Sequence, residues 1–330
     1  MNDLTQALFL FAGSSALVIV SGAYLAKQGD ALAGLMGWSR LWVGTILVAL
    51  ATSLPELASN LTAATRDQPG LALGDILGSN MVNMFILAMV VLAFGGGAFF
   101  REMASVQRVL ISVAILMTGL ALVLGVLPQG PSFREVGLGS LLILLAYAVG
   151  MRLVYMARPR EAETGPGDPD RPARGLIKVW TIFGLAALGV LLSAPTLIFS
   201  VERIAETTGL ATSFLGVIAV ALVTSLPEAT TSIVAARMGA TDLALGNLYG
   251  SCILNITILA MADPFYRGGV LVEAMEPAHV AAASGAIILM GLGFLLVASR
   301  GKSRYIPAAP ILVLMGLGYV GSLLVVFAFS

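Results

Sequence analysis

Ala51-Thr52-Ser53-Leu54-Pro55-Glu56 and Val223-Thr224-Ser225-Leu226-Pro227-Glu228 carry the same five residues, Thr-Ser-Leu-Pro-Glu, twice in one chain. Around them, 43–89 and 215–261 align without a gap at an offset of 172 residues, and about half of the positions are identical. The identities include Gly74/Gly246, Gly78/Gly250, Ser79/Ser251 and Asn83/Asn255. Each copy sets a glutamate in the middle of a long apolar run. An insertion scale charges roughly 2.5–3.5 kcal/mol for an ionised acid at the centre of a single membrane helix. Two such acids need a partner, and no Lys or Arg lies in these segments at similar depth. The missing positive charge is expected from a bound cation or a proton. A duplicated acidic motif at membrane depth points to a two-fold pseudosymmetric cation transporter. The bland reading, two protonated glutamates bonded to neighbouring helices, leaves the duplication unexplained.

The composition agrees. The chain is 58% hydrophobic and 11% charged, with a mean hydropathy of +0.96. A polytopic membrane protein embedded in the lipid bilayer accounts for so few charges. The first apolar run has no basic segment before it, so it reads as a span and not a cleavable signal. The single cysteine, Cys252, excludes an intrachain disulfide and a cysteine-rich metal site. Zero net charge argues against a nucleic-acid partner, and no segment implies a protein partner.

Ten apolar segments are long enough to cross about 30 Å of hydrocarbon at about 1.5 Å per residue. They fall near 4–27, 41–65, 71–98, 106–127, 135–157, 176–201, 212–236, 243–264, 274–299 and 306–329. The expected fold class is therefore all-α. The Pro/Gly-rich, charged stretch 158–174 reads as a linker between two five-helix halves, 1–157 and 175–330. With both termini outside, fourteen Lys and Arg fall on inner connections and four on outer ones. That bias puts the linker on the cytoplasmic side of the membrane. Five is odd, so the second half enters from the opposite side and the repeats are inverted.

The chemistry of the motif is oxygen chemistry. Pro55 and Pro227 have no N–H to give the carbonyls of Ala51 and Val223, and a mid-membrane carbonyl freed this way can serve a cation. Thr52 and Glu56 share a helix face, and Ser53 adds a second hydroxyl. Hard cations such as Ca²⁺ and Na⁺ take such ligands. On the third and eighth spans, Asp75, Ser79 and Asn83, and Asn247, Ser251 and Asn255, recur every four residues as polar stripes. The glycines beside them read as packing positions. Asp75 differs from its mate Asn247. It is expected toward the outer end of its span, either luring cations or capping a helix start near water. His279 reads as a membrane-interface residue, and Asp242, Glu202 and Glu206 as solvated loop charges.

Two copies of Thr-Ser-x-Pro-Glu, each followed by Gly-x-x-Gly-Ser-x-x-x-Asn, resemble the α-repeats of the cation/Ca²⁺ exchanger superfamily, and most of all those of prokaryotic sodium/calcium exchangers. The resemblance implies ten spans in two inverted halves, an ion site walled by spans 2, 3, 7 and 8, and long first and sixth helices that slide across this core. The ligands it implies are Thr52, Ser53, Glu56, Ser79 and Asn83, with Thr224, Ser225, Glu228, Ser251 and Asn255. Backbone carbonyls are implied at Ala49 and Ala221. Ca²⁺ and Na⁺ are the implied transported ions, with no resident cofactor and no catalytic residue.

The departures are specific. Ala51 and Val223 replace the Gly before Thr-Ser, Cys252 replaces an Asn that Asn80 retains, and Asn255 stands where some members carry Asp. The core is thus expected to hold two formal negative charges. The Gly-Asn-x-x-Glu motif of proton-coupled Ca²⁺ exchangers is absent, which favours Na⁺. A Ca²⁺/H⁺ or Na⁺/H⁺ antiporter of the same fold stays open, because two close carboxylates also compete for protons. An intramembrane protease is disfavoured, since the one histidine is far from any Gly-x-Ser-x-Gly and residues 72–75 read Ala-Leu-Gly-Asp.

Overall fold

A computed structural model describes residues 3–94, 105–127, 137–157, 173–208, 221–299 and 308–329. Its long elements are all helices: α1 (Asp3–Met36), α2 (Arg40–Thr52), α3 (Leu54–Thr65), α4 (Pro69–Phe94), α5 (Ser105–Val126), α6 (Leu138–Ala157), α7 (Ala173–Thr208), α8 (Leu226–Arg237), α9 (Thr241–Ala262), α10 (Pro277–Ser299) and α11 (Ala308–Phe329). Among the described residues, eight helices are long and apolar enough to cross a membrane, and α2 with α3 makes a ninth, broken span. The expected span at 212–236 is described only from residue 221, through helical residues 221–224 and α8.

The two breaks follow from the motif. Ser53 leaves helical geometry at φ −87°, ψ 11°, and Ser225 does so at φ −81°, ψ 4°. Pro55 and Pro227 then sit in the first turn of the next helix, where a missing N–H leaves no intrahelical bond unmade. The first break bends its span by 47°.

α4 and α9 form the centre of the bundle, and nearly all of α9 is buried. Both are apolar on most faces, as a helix surrounded by other helices must be. α2 crosses α9 backbone to backbone. A Cβ on Gly44 would stand 2.5 Å from the Leu243 carbonyl oxygen, and one on Gly246 2.5 Å from that of Leu41. Only glycine permits that approach. Asn80 and Cys252, mates at the 172-residue offset, touch each other: Asn80 Nδ2 donates to the Cys252 carbonyl at 3.3 Å, and Cys252 Sγ lies 4.0 Å from the Asn80 carbonyl. A residue in reciprocal contact with its mate marks the axis that relates the two halves.

α1 and α7, of 34 and 36 residues, are the longest helices. At about 1.5 Å per residue each runs about 50 Å, well beyond about 30 Å of hydrocarbon. They pack along each other on one flank, α1 also against α8 and α7 against α3. The same offset relates them, through Val18/Val190, Ser21/Ser193 and Leu25/Leu197. Leu8, Phe9, Leu185, Leu192, Leu317 and Leu324 are exposed on the outer faces, as lipid-facing side chains are.

Several local expectations change. Of the 158–174 linker, 158–172 lie outside the described residues, while Ala173 and Arg174 already belong to α7. Glu202 and Glu206 lie on α7 too, and not in a loop. Asp242 is in the first turn of α9, where Gln107 Nε2 of α5 donates to it at 2.8 Å. An acid there also suits the positive end of the helix dipole. His279 is buried at the start of α10. Its Nδ1 accepts from the Glu276 N–H and its Nε2 bonds the Gly70 carbonyl, each at 3.0 Å, so the ring ties α10 to the start of α4. Asp263, which carried no sequence signal, is fully buried after α9. Its carboxylate accepts from Gly137 N and Ser140 Oγ, both at 2.8 Å, and from Leu271 N at 2.6 Å.

Candidate functional site

The breaks in α2/α3 and before α8 meet α4 and α9 in the middle of the bundle. Thr52, Ser53, Glu56, Ser79, Asn83, Thr224, Ser225, Glu228, Ser251 and Asn255 are all buried, as are Ala49 and Ala221. The bonds among them run from one repeat into the other. Ser53 Oγ donates to Glu228 Oε1 at 3.2 Å and lies 3.1 Å from Ser251 Oγ. Ser251 Oγ donates to the same Glu228 oxygen at 3.3 Å. Thr52 Oγ1 lies 3.2 Å from the Ala49 carbonyl, and Thr224 Oγ1 stands at 3.2 Å from that of Ala221. Asn255 Nδ2 donates to Asn80 Oδ1 at 3.0 Å, so its amide nitrogen is engaged on the axis while its Oδ1 is not.

Six buried oxygens of this constellation have no hydrogen-bond partner among the described residues: both of Glu56, Oε2 of Glu228, Oγ of Ser225 and Oδ1 of Asn83 and Asn255. Orphaned buried oxygens are costly. A hard cation is the partner their chemistry fits. No salt bridge reaches Glu56 or Glu228 from a Lys or Arg among the described residues. No three His, Cys, Asp or Glu side chains among those residues are grouped to hold one metal ion. The oxygens on offer to an ion here are those of carboxylates, hydroxyls, amides and carbonyls.

Asp75 was expected toward the outer end of its span, and it lies in the second turn of α4, but it is fully buried and caps no helix start near water. Its Oδ1 accepts from Thr224 Oγ1 at 3.2 Å and its Oδ2 from Asn60 Nδ2 at 2.9 Å. Asn60 Nδ2 also donates to the Glu56 carbonyl at 2.8 Å. Glu56 lies within electrostatic reach of both Glu228 and Asp75. Asp75 thus adds a third buried carboxyl group to the two expected. Asn60 and its mate Ser232 were missed as well. Their only signal was their place one turn after each glutamate, on the same helix face.

On one flank the bundle is open beside the site, though no candidate ligand lines the opening. A cavity of about 430 Å³ lies between α3 and α7, with Pro55, Ser59 and Arg66 on one wall and Ala194, Pro195 and Phe199 on the other. The mates of Ser59 and Ala194 are Thr231 and Gly22. There the matching cleft is shut, for Thr231 Oγ1 donates to the Gly22 carbonyl at 3.1 Å, and a Cβ on Gly22 would stand 3.0 Å from Thr230 Cβ. The two halves share a sequence motif but differ in state.

Comparison with known proteins shows the family and the fold. The family model described as sodium/calcium exchanger protein matches residues 6–156 and 178–330. The inner membrane protein YrbG of Escherichia coli is 30% identical over 250 residues, covering 74% of each chain. The sodium/calcium exchanger MaX1 of Methanosarcina acetivorans is 25% identical over 286 residues, covering 75% of this chain and 80% of its own. A solved structure of the sodium-calcium exchanger NCX_Mj superposes with a TM-score of 0.74 at 19% identity, covering 97% of this chain and 99% of that one, which shows the shared fold. With its apolar helices and matches across both halves, the chain is an integral membrane protein that belongs to the sodium/calcium exchanger protein family.

Proposed function

We propose that the protein is a secondary antiporter that exchanges Ca²⁺ for Na⁺ by alternating access. Glu56 and Glu228 are the principal ion ligands, and the Thr, Ser and Asn oxygens around them complete the shell, with Ala49 and Ala221 contributing carbonyls. The observation that carries this is the set of orphaned oxygens on two buried glutamates, brought together from both repeats and free of any Lys or Arg partner among the described residues.

The open cavity and the shut cleft support alternation. The distribution of Lys and Arg puts the α3–α4 turn, with Arg66 and Gln68, on the outer face. The cavity, lined by both, then opens outward with the termini on the same side. In the opposite state the Thr231–Gly22 contact parts and the α3–α7 cleft closes. The ions bind at the centre of the rigid core in both states, and the differential contacts are made by α1 and α7.

Uptake of ⁴⁵Ca²⁺ into proteoliposomes, with Na⁺ and H⁺ gradients imposed separately, tests the assignment. Uptake driven by an outward Na⁺ gradient at clamped pH is expected. Flux that ignores Na⁺ and follows the pH gradient would make the protein a Ca²⁺/H⁺ antiporter. No Ca²⁺ movement under either gradient would remove Ca²⁺ as the substrate.

A further inference from the structure

We infer that Asp75 is a third carboxylate of the transport site and holds a Na⁺ ion together with the oxygens of Thr224, Ser79 and Ala221. The inference rests on the exchanger reading above and adds to it a residue and a charge.

Two oxygen clusters flank the glutamates, and the internal repeat makes them mates. Around Thr52 Oγ1 lie Asn247 Oδ1 at 3.1 Å, the Ala49 carbonyl at 3.2 Å and Ser251 Oγ at 3.5 Å. Around Thr224 Oγ1 lie Asp75 Oδ1 at 3.2 Å, the Ala221 carbonyl at 3.2 Å and Ser79 Oγ at 3.4 Å. The geometry is nearly the same, but the first cluster is neutral and the second carries a carboxylate.

The surroundings of Asp75 suit that carboxylate. In the second repeat Asn247 Nδ2 donates to Ser232 Oγ at 3.1 Å. In the first repeat the polarity is reversed, and Asn60 Nδ2 donates to Asp75 Oδ2. A carboxylate needs a donor where an amide can use an acceptor, and Asn60 stands where Ser232 stands in the other half. The exchange at 75 is thus matched by one at 60. Thr224 has a single hydroxyl hydrogen. Given to Asp75, it leaves the Ala221 carbonyl and the Thr224 and Ser79 oxygens able to face a cation.

The charge of Asp75 is fully buried and meets no Lys or Arg among the described residues. Its Oδ1 faces the neutral oxygens of Thr224, Ala221 and Ser79, and a single negative charge among neutral oxygens suits a monovalent ion better than a divalent one. Pro55, Ser59 and Leu71 line the cavity, and Asn60 and Asp75 are one and four residues beyond the last two, so this ion sits at the cavity end of the site. Three carboxylates balance three monovalent cations, whereas one Ca²⁺ leaves a charge over. Asp75 thus fits the pocket to several small cations in one state and one Ca²⁺ in the other.

The test compares wild type, Asp75→Asn and the charge-swapped Asp75→Asn/Asn247→Asp in two assays: Na⁺-driven ⁴⁵Ca²⁺ flux against Na⁺ concentration, and equilibrium ²²Na⁺ binding to purified protein. Asp75→Asn is expected to weaken Na⁺ about tenfold or more and to lower the Na⁺ Hill coefficient by about one. The swap is expected to return the coefficient to the wild-type value, which also shows that the fold survives. Loss of pH-gradient-driven flux in Asp75→Asn with ²²Na⁺ binding unchanged overturns the inference, since the carboxyl then serves a proton. A variant whose Na⁺ coefficient, ²²Na⁺ sites and pH-driven flux all match wild type overturns the inference. So does a maximal flux that falls while all three persist, the mark of a structural role. A wild type that moves no Ca²⁺ defeats the exchanger reading alone, and ²²Na⁺ binding then still decides on Asp75.

Discussion

Ser53 of the first repeat donates to Glu228 Oε1 of the second at 3.2 Å, while the hydroxyl of its mate Ser225 has no partner among the described residues. One glutamate is partly dressed and the other is bare. The bare one, Glu56, follows Pro55, which lines the cavity.

Glu56→Gln and Glu228→Gln are each expected to abolish Ca²⁺ transport, lowering the rate about a hundredfold or more, since one negative charge then faces a divalent ion. Thermal midpoints in detergent should hold or rise, because removing an unpaired buried charge does not destabilise a fold. Flux near the wild-type rate in either variant would sink the site.

The open and shut clefts differ in access. Cysteines at Ser59→Cys and Thr231→Cys occupy mated positions, one on the cavity wall and one buried under Gly22. Without Ca²⁺ or Na⁺, an impermeant thiol reagent added outside should label the first at least about tenfold faster than the second, since burial restricts thiol access. Native Cys252 is fully buried and should contribute little background. Equal rates would contradict an outward opening.

Asp263→Ala leaves three buried donors, the N–H groups of Gly137 and Leu271 and the Ser140 hydroxyl, without their acceptor. A loss on the order of 3 kcal/mol is expected, read as a lower thermal midpoint. The apparent Ca²⁺ affinity of the surviving protein should not change. An unchanged midpoint would show that these donors find other acceptors.

If three Na⁺ exchange for one Ca²⁺, as the three buried carboxylates favour, each cycle moves one net charge. A membrane potential of about 100 mV then biases exchange by about 2.3 kcal/mol, roughly fifty-fold in the Ca²⁺ gradient. Na⁺-driven flux in vesicles clamped with a K⁺ diffusion potential measures this. Flux indifferent to voltage would keep Na⁺ as counter-ion and reject that ratio.

Much of this protein was legible before any coordinates. Thr-Ser-Leu-Pro-Glu appears twice because two helices break in the same way, and Pro in a first turn is a local constraint that sequence states directly. Apolar length gave the spans for the same reason. The burial of Asp75 was not foreseen because its spacing on a stripe fixes a face but not what packs against it, and its partner Thr224 is 149 residues away. Asp263 was missed because its partners are mostly backbone N–H groups, which leave no mark in a side-chain pattern. The cavity was invisible for another reason. The repeat predicts two equal clefts, and the difference between them is a property of the conformation.

The crossing of α2 and α9 at Gly44 and Gly246 has a mechanical consequence. A joint made of bare backbone has no rotamers to reshuffle and little free volume to compress. When the ion load at its centre changes, that joint cannot soften to absorb the stress. On the exchange reading proposed above, the work done by the ions would then pass to the long flanking helices. The glycines would serve as the stiff fulcrum of a lever whose arms are α1 and α7.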